Sequence, residues 1–361
     1  MKETKRRKLR SALTALLLGA VAVGVLALLT RLVTPKYMTD IVEGAMIAEY
    51  YDEVKDHDVI FIGDCELYEN ITPALLWEEY GINSYIRGSA QQLIWQSYYL
   101  LEDTLRYEKP KVVVFNVLSM QYNEPQKEAY NRMTLDGMRL SPTKIRAIKA
   151  SLLPEEHLIE YLFPILRYHS RITELGSEDF QYLFHTDPVT YNGYYMRVDV
   201  RPAENIPPAK PLGDYRFGSN AYRYLDLLTQ TCAAEGIELV LVKAPSLYPH
   251  WYDEWDAQME DYAERHGLLY VNALEELEEI GLDFRTDTYD AGLHLNLSGA
   301  EKWTESLGEL LTRECGLTSR RGEPDLEASW EEKLKRYYGD IESKKAEIAA
   351  NAEERNDTEE P

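Results

Sequence analysis

The chain has 361 residues, enough for one large α/β domain with appendages or for two small domains, and its 45% hydrophobic and 28% charged content is ordinary for a globular protein. A net charge of −23 excludes a general nucleic-acid binder and argues against a soluble part held electrostatically on anionic lipid. Three cysteines without close spacing and seven scattered histidines suggest no zinc cluster, disulfide framework or metal site, and no cofactor is expected.

The first element is unambiguous in pattern. Lys2, Lys5, Arg6, Arg7, Lys8 and Arg10 precede an uncharged run from Ser11 to Thr30. At ~1.5 Å per residue that run spans a hydrocarbon core of ~30 Å. Residues 1–10 are expected to stay in the cytoplasm, 11–33 to form a single-pass signal-anchor helix in the cell membrane, and the rest to lie outside. A cleaved signal peptide is the alternative. The run is longer than an h-region, however, and Arg31-Leu-Val-Thr-Pro-Lys is a poor cleavage site.

Residues 34–57 read as a polar linker, helical from about Thr39 to Val54. From residue 58 strands alternate with helices. Candidate strands are Val59–Ile62, Ser84–Ile86, Val112–Phe115, Leu239–Val242 and Leu268–Val271, each short, apolar and β-branched or aromatic. Thr72-Pro73 and Ser141-Pro142 carry helix-start chemistry. Gln91–Tyr107 and Ala221–Glu235 have helical periodicity. Together they predict a three-layer, doubly wound, five-stranded parallel sheet over 58–316, with flavodoxin-like order 2-1-3-4-5.

Residues 119–220 form a long insertion without a strand signal. Helices are expected over Thr143–Leu153 and Pro154–Tyr168, followed by an ordered loop rich in Pro, Gly and Tyr. Insertions of this size are usually functional. Tyr191, Tyr194 and Tyr195 have two readings, stacking on a sugar or packing the loop onto the domain, and the second is favoured. Residues 317–361 read as a solvated charged helix fraying into a disordered tail, with only Trp330, Leu334 and Tyr337 as an apolar stripe.

The chemistry-bearing residues lie at the two ends of this domain. Cys65 follows the first strand in Asp58-Val-Ile-Phe-Ile-Gly-Asp-Cys65. His294 precedes the last helix in Asp290-Ala-Gly-Leu-His-Leu-Asn-Leu-Ser298. Both fall at the C-terminal edge of the sheet, where ligands bind in open parallel folds. A nearby helix start or turn amides would favour a Cys65 thiolate. Asp290 is placed to orient the imidazole. The Cys65 and Gly88 amides and the Asn116 side chain are candidate oxyanion donors. Cys232 and Cys315 read as packing residues.

This pattern resembles the SGNH (GDSL-like) hydrolases over roughly residues 58–312. Gly63-Asp-Cys65 is similar to that family's Gly-Asp-Ser block, Gly88 to its second-block glycine and Asn116 to its third-block asparagine. Asp290 and His294 are similar to its final Asp…His pair. The run His294–Ala300 looks like the membrane-anchored envelope members, which include alginate-acetylation and D-alanine transfer proteins. Three departures stand out. Cys replaces Ser. The Asp-to-His spacing is four rather than three, which leaves Asp287 as a weaker substitute orienter. The third block lacks its Gly and the Asp that usually follows Asn.

The resemblance implies an acyl-ester hydrolase or O-acyltransferase. Its expected partners are an envelope polysaccharide or acylated glycan and a polytopic membrane acyltransferase, with no nucleic acid. The other reading is a non-catalytic domain that binds glycan or such a partner.

Overall fold

The computed structural model describes residues 2–35, 46–184 and 188–359. Helix α1 is Lys2–Val33, and its apolar stretch is long enough to cross a membrane. Five strands follow: β1 (Val59–Gly63), β2 (Ser84–Gly88), β3 (Val112–Asn116), β4 (Glu238–Lys243) and β5 (Leu269–Asn272). All pair in parallel, in the order β2-β1-β3-β4-β5, as the alternation of strands and helices predicts.

The sheet separates two cores by strand alternation. Ile60 and Ile62 of β1, Val113 and Phe115 of β3, and Leu239 and Leu241 of β4 face one layer. That layer holds helices α3 (Ile94–Thr104), α4 (Pro142–Ser151), α8 (Ser219–Glu235) and α9 (Asp253–His266). Val59, Phe61, Val112, Val114, Val240 and Val242 face the other. That layer holds α2 (Cys65–Tyr68), α10 (Leu297–Glu314) and α11 (Pro324–Glu359). Strands buried on both faces explain why their sequences are continuous apolar runs.

Three expectations are revised. The helix expected over Thr39–Val54 lies partly outside the described residues; its end is a turn at Met46–Glu49 followed by a 3-10 turn at Tyr50–Asp52. Within the described part, Met46, Ile47, Tyr50 and Tyr51 are buried in the core. Tyr50 is fully buried beneath the Arg87 guanidinium, whose carbon lies 4.0 Å from the ring centre, and Arg87 pairs with Asp103 at 3.1 Å.

The helix expected over Pro154–Tyr168 is broken into α5 (Leu158–Leu162) and α6 (Ile165–Tyr168). Pro164 sits at the break, where its ring and missing N–H interrupt the ladder. A 3-10 turn, His169–Thr173, and α7 (Ser177–Gln181) follow.

The C-terminal helix docks on the domain over Trp330–Ile341, and residues 342–351 beyond it are exposed, as a solvated helix is. Trp330 stacks on Trp77 at 5.5 Å with planes 7° apart, and its indole donates to Asn83 Oδ1 at 3.0 Å. Tyr337 and Ile341 are buried with it. The spacing 330, 334, 337, 341 is one stripe of a helix, and large side chains let so sparse a stripe bury α11.

The loop tyrosines pack the loop, as the blander reading expects. Tyr194 is fully buried, and Tyr191 bonds Asp340 of α11 at 2.6 Å. Between them Asn192 accepts from Ile86 N at 2.9 Å, so the turn covers the free edge of β2. Gly193 has φ +87°, and a Cβ there would lie 2.1 Å from Ile86 O. Gly193→Ala is therefore expected to cost about 3 kcal/mol, read as a shift of the urea midpoint. A cost below about 1 kcal/mol would mean the turn moves away freely.

Candidate active site

β1 ends at Gly63 because the chain must turn tightly there. A Cβ would approach Leu67 at 2.9 Å and Asn116 at 3.0 Å. Asp64 caps the next turn, its carboxylate accepting from Glu66 N at 3.2 Å, and Cys65 opens α2. Cys65 keeps some contact with solvent although protein atoms surround it closely.

The other half of the site comes from the loop before α10. His294 Nδ1 lies 2.7 Å from Asp290 Oδ2, and the His294 backbone N–H donates to Asp290 Oδ1 at 2.8 Å. Asp290 thus fixes both ring and loop. The extra residue in the Asp-to-His spacing is absorbed by left-handed backbone at Ala291 (φ +70°) and Gly292 (φ +102°). Thr288 Oγ1 ties that loop together, accepting from Gly292 N at 2.8 Å and donating to His294 O at 2.7 Å. Asp287, the substitute orienter, is elsewhere, bonded to Lys302 at 2.6 Å and Ser298 at 2.9 Å.

Two residues that motif reasoning misses complete the arrangement. Glu69 places a second carboxylate 3.4 Å from His294 Nδ1 and accepts from the Tyr289 hydroxyl. The Tyr289 ring lies nearly parallel to the imidazole, 6.1 Å away at 14°. Asn70 joins the chain's distant parts. Its Oδ1 accepts from Leu295 N at 2.9 Å and its Nδ2 donates to Pro245 O at 3.1 Å. The only signal for either was their position four and five residues after Cys65.

With carboxylates at Nδ1, the neutral ring carries its proton there and presents Nε2 as the basic nitrogen. Nε2 is buried and makes no hydrogen bond of ordinary geometry. Cys65 is nevertheless close enough that thiol and ring perturb each other's proton affinity. The resting site thus holds no Cys65–Nε2 hydrogen bond, and catalytic bonds of this kind often form only when substrate tightens a site.

Burial dominates the thiol and pushes its pKa up, with His294 opposing and Asp64 and Glu69 assisting. The thiolate expected from the turn amides is thus not favoured in the resting site. Burial would strip the proton from His294. Cys65, Glu69 and Asp290 outweigh it and hold the ring's pKa well above 6.5. The Cys65 contribution requires a thiolate, so while the thiol keeps its proton the two carboxylates carry the effect. Burial works against ionisation of Asp290 as well, but the His294 contacts outweigh it and keep its pKa low.

Beneath Cys65 lies a buried polar cluster. Lys243 Nζ donates to Glu66 Oε1 at 3.0 Å and Oε2 at 2.9 Å, and to Ser246 Oγ at 3.0 Å. Asn116 is part of this cluster. Its Nδ2 donates to Asp64 Oδ1 at 2.9 Å and Glu66 Oε2 at 3.0 Å, and its Oδ1 accepts from Ala244 N at 3.1 Å. Both amide hydrogens are spent, so Asn116 is a structural clamp and not the expected oxyanion donor. Gly88 does face the site, packed so closely that a Cβ would lie 3.1 Å from Gly63 O. The main-chain amides of Cys65 and Gly88 remain as candidate donors. Burial and the neighbouring Glu66 push the Asp64 carboxyl up to about 7.

No family model matches the chain, and no curated protein matches it. Several solved structures do. One is the crystal structure of a candidate acylhydrolase from Bacteroides fragilis, 11% identical over 74% of this chain and 95% of that one, with a TM-score of 0.37. A likeness that loose transfers neither family nor activity to this chain.

Proposed function

We propose that the protein is a membrane-anchored, extracytoplasmic acyl-ester hydrolase or O-acyltransferase that acts on an envelope glycan through Cys65, His294 and Asp290. The observation that carries the reading is a buried imidazole held by Asp290 and electrostatically coupled to the partly exposed Cys65 thiol. The basic residues in the first turns of α1, before its apolar run, support the orientation.

In the first half-reaction His294 Nε2 takes the thiol proton as Cys65 Sγ adds to the ester carbonyl. The main-chain amides of Cys65 and Gly88 are the donors available to the oxyanion. The tetrahedral adduct collapses by breaking the C–O bond to the alcohol. That oxygen leaves with the proton from His294, giving a thioester on Cys65. Water or a sugar hydroxyl then gives its proton to Nε2 and attacks the thioester. The thiol is regenerated, and the product is an acid or a new ester.

The base must be neutral at the outset, and His294 keeps its proton well above pH 6.5. Acylation of Cys65 by an activated acetyl ester should therefore rise with pH through the alkaline side of neutrality. Glu69→Gln removes one carboxylate holding that proton, so the midpoint of the rise should move to lower pH. Peptide-level mass spectrometry of acetyl-Cys65 in the full chain across pH checks both statements. Absence of acetyl-Cys65 at any pH would overturn the reading.

Two observations favour a second reading, a non-catalytic domain that binds glycan or a membrane partner: the raised thiol pKa and the committed Asn116 amide. That reading requires full cellular function from Cys65→Ala.

A further inference from the structure

Seven phenylalanines occur in the chain. Phe61, Phe115, Phe217 and Phe284 are buried. Phe163, Phe180 and Phe184 are 48, 54 and 83% exposed. All three fall within 22 residues of the insertion, beside exposed Ile159, Leu166 and Ile172. A soluble surface rarely gathers apolar side chains in this way without a partner.

The same elements hold the end of α1. Its last turns pack against α6, the 3-10 turn and α7. Val33 is buried there, and Arg171 Nη1 donates to Val33 O at 2.7 Å, satisfying a carbonyl at the helix end. Arg171 in turn pairs with Asp179 of α7 at 3.1 Å. The insertion is thus fixed to the helix at a definite level along its axis.

That level can be placed. If Ser11–Thr30 fills the hydrocarbon core, Val33 lies three residues beyond it, or ~4.5 Å. The polar layer on each side of the core is ~5–7 Å thick. Elements gripping Val33 therefore sit at headgroup depth, where exposed aromatic rings are favoured.

We infer that residues 158–184 are a membrane-docking surface that rests its apolar side chains in the outer interface around α1. The occupant is lipid. The surface is continuous with the spanning helix, and its exposed side chains are those of an interfacial segment. Attraction to anionic headgroups is not the driving force. Arg167 and Arg171 are outnumbered by Glu160, Glu174, Glu178 and Asp179. Apolar insertion suits zwitterionic lipid and is compatible with the acidity of the whole chain. The inference rests on the reading of α1 as a membrane span and is independent of the chemistry at Cys65.

The test uses the full chain in phosphatidylcholine vesicles, with p-benzoylphenylalanine replacing one residue at a time. Leu16→p-benzoylphenylalanine reports whether α1 is in the bilayer. Substitutions at Phe163, Ile172 and Phe184 report docking. Glu264, exposed on α9 beside the opposite sheet edge, is the control. Lipid adducts at 16, 163, 172 and 184, with none at 264, are expected on irradiation. Adducts at 16 alone would overturn docking and leave the spanning helix. Cross-linked dimers through 163, 172 or 184 would overturn it in favour of self-association. No adduct at 16 would remove the span and the inference with it. A protein adduct replacing the lipid adduct in native membranes would assign the surface to a protein partner instead.

Discussion

His294→Ala is expected to slow acylation of Cys65 by an activated ester about 10³-fold, equivalent to about 4 kcal/mol of barrier. The base is lost, and the thiol it would deprotonate is one that burial already holds in the protonated form. Asp290→Asn should cost less, about 10²-fold, because Glu69 remains 3.4 Å from Nδ1 to hold the ring. The pair Asp290→Asn with Glu69→Gln should then approach the His294→Ala loss, since residues acting on one ring are not additive. The measurement is the second-order rate of acetyl-Cys65 formation in each variant. Equal rates in wild type and His294→Ala would make Cys65 a structural cysteine. Intact folding of His294→Ala, checked by circular dichroism, separates that result from collapse of the loop.

Lys243→Met should be the most destabilising single change near the site, by about 3–5 kcal/mol. Lys243 and Glu66 are fully buried, so bulk solvent does not reach the carboxylate that loses its ammonium partner. Glu66 would lose two charge-assisted bonds while Asp64 stays next to it. Adding Glu66→Leu should recover much of the loss, since apolar replacement of both partners is often nearly neutral. The pH dependence has a definite sign. Asp64 has its folded pKa raised from 3.8 to about 7, so its protonated form is the stabilised one. Removing the cation raises that pKa further. The deficit of Lys243→Met should be smallest below pH ~4 and should grow as pH rises through and above 7. Urea midpoints of the two variants at pH 4 and pH 8 check this. A pH-independent deficit below about 1 kcal/mol would mean the cluster is hydrated.

The strands were legible because each is a short β-branched run between turn signals, and sheets buried on both faces leave that signature. The placement of Cys65, His294 and Asp290 was legible for a related reason: they follow β1 and precede α10 at the edge where strand ends converge. The fate of Asn116 was not. A sequence shows that an amide ends β3, but not that carboxylates after β1 and the backbone N–H of Ala244 after β4 will claim it. Those partners lie 50 to 128 residues from Asn116, and only the closed sheet brings them together. The docking of α11 was hidden differently. Its stripe was visible, but a count of charges weighed each of its few aromatic side chains the same as a lysine. In the lead-in, Tyr50 and Tyr51 looked polar and proved to be core.

The protonated state of the buried Cys65 thiol has a consequence for durability. The thiolate is the form that attacks peroxides and disulfides, so a cysteine that holds its proton is oxidised slowly. A serine in its place would need no such protection, but a cysteine in an oxidising compartment would. Under the proposed mechanism, the burial that makes Cys65 dependent on His294 would also lengthen its working life, because the sulfur becomes vulnerable only during the brief interval in which the imidazole has taken its proton.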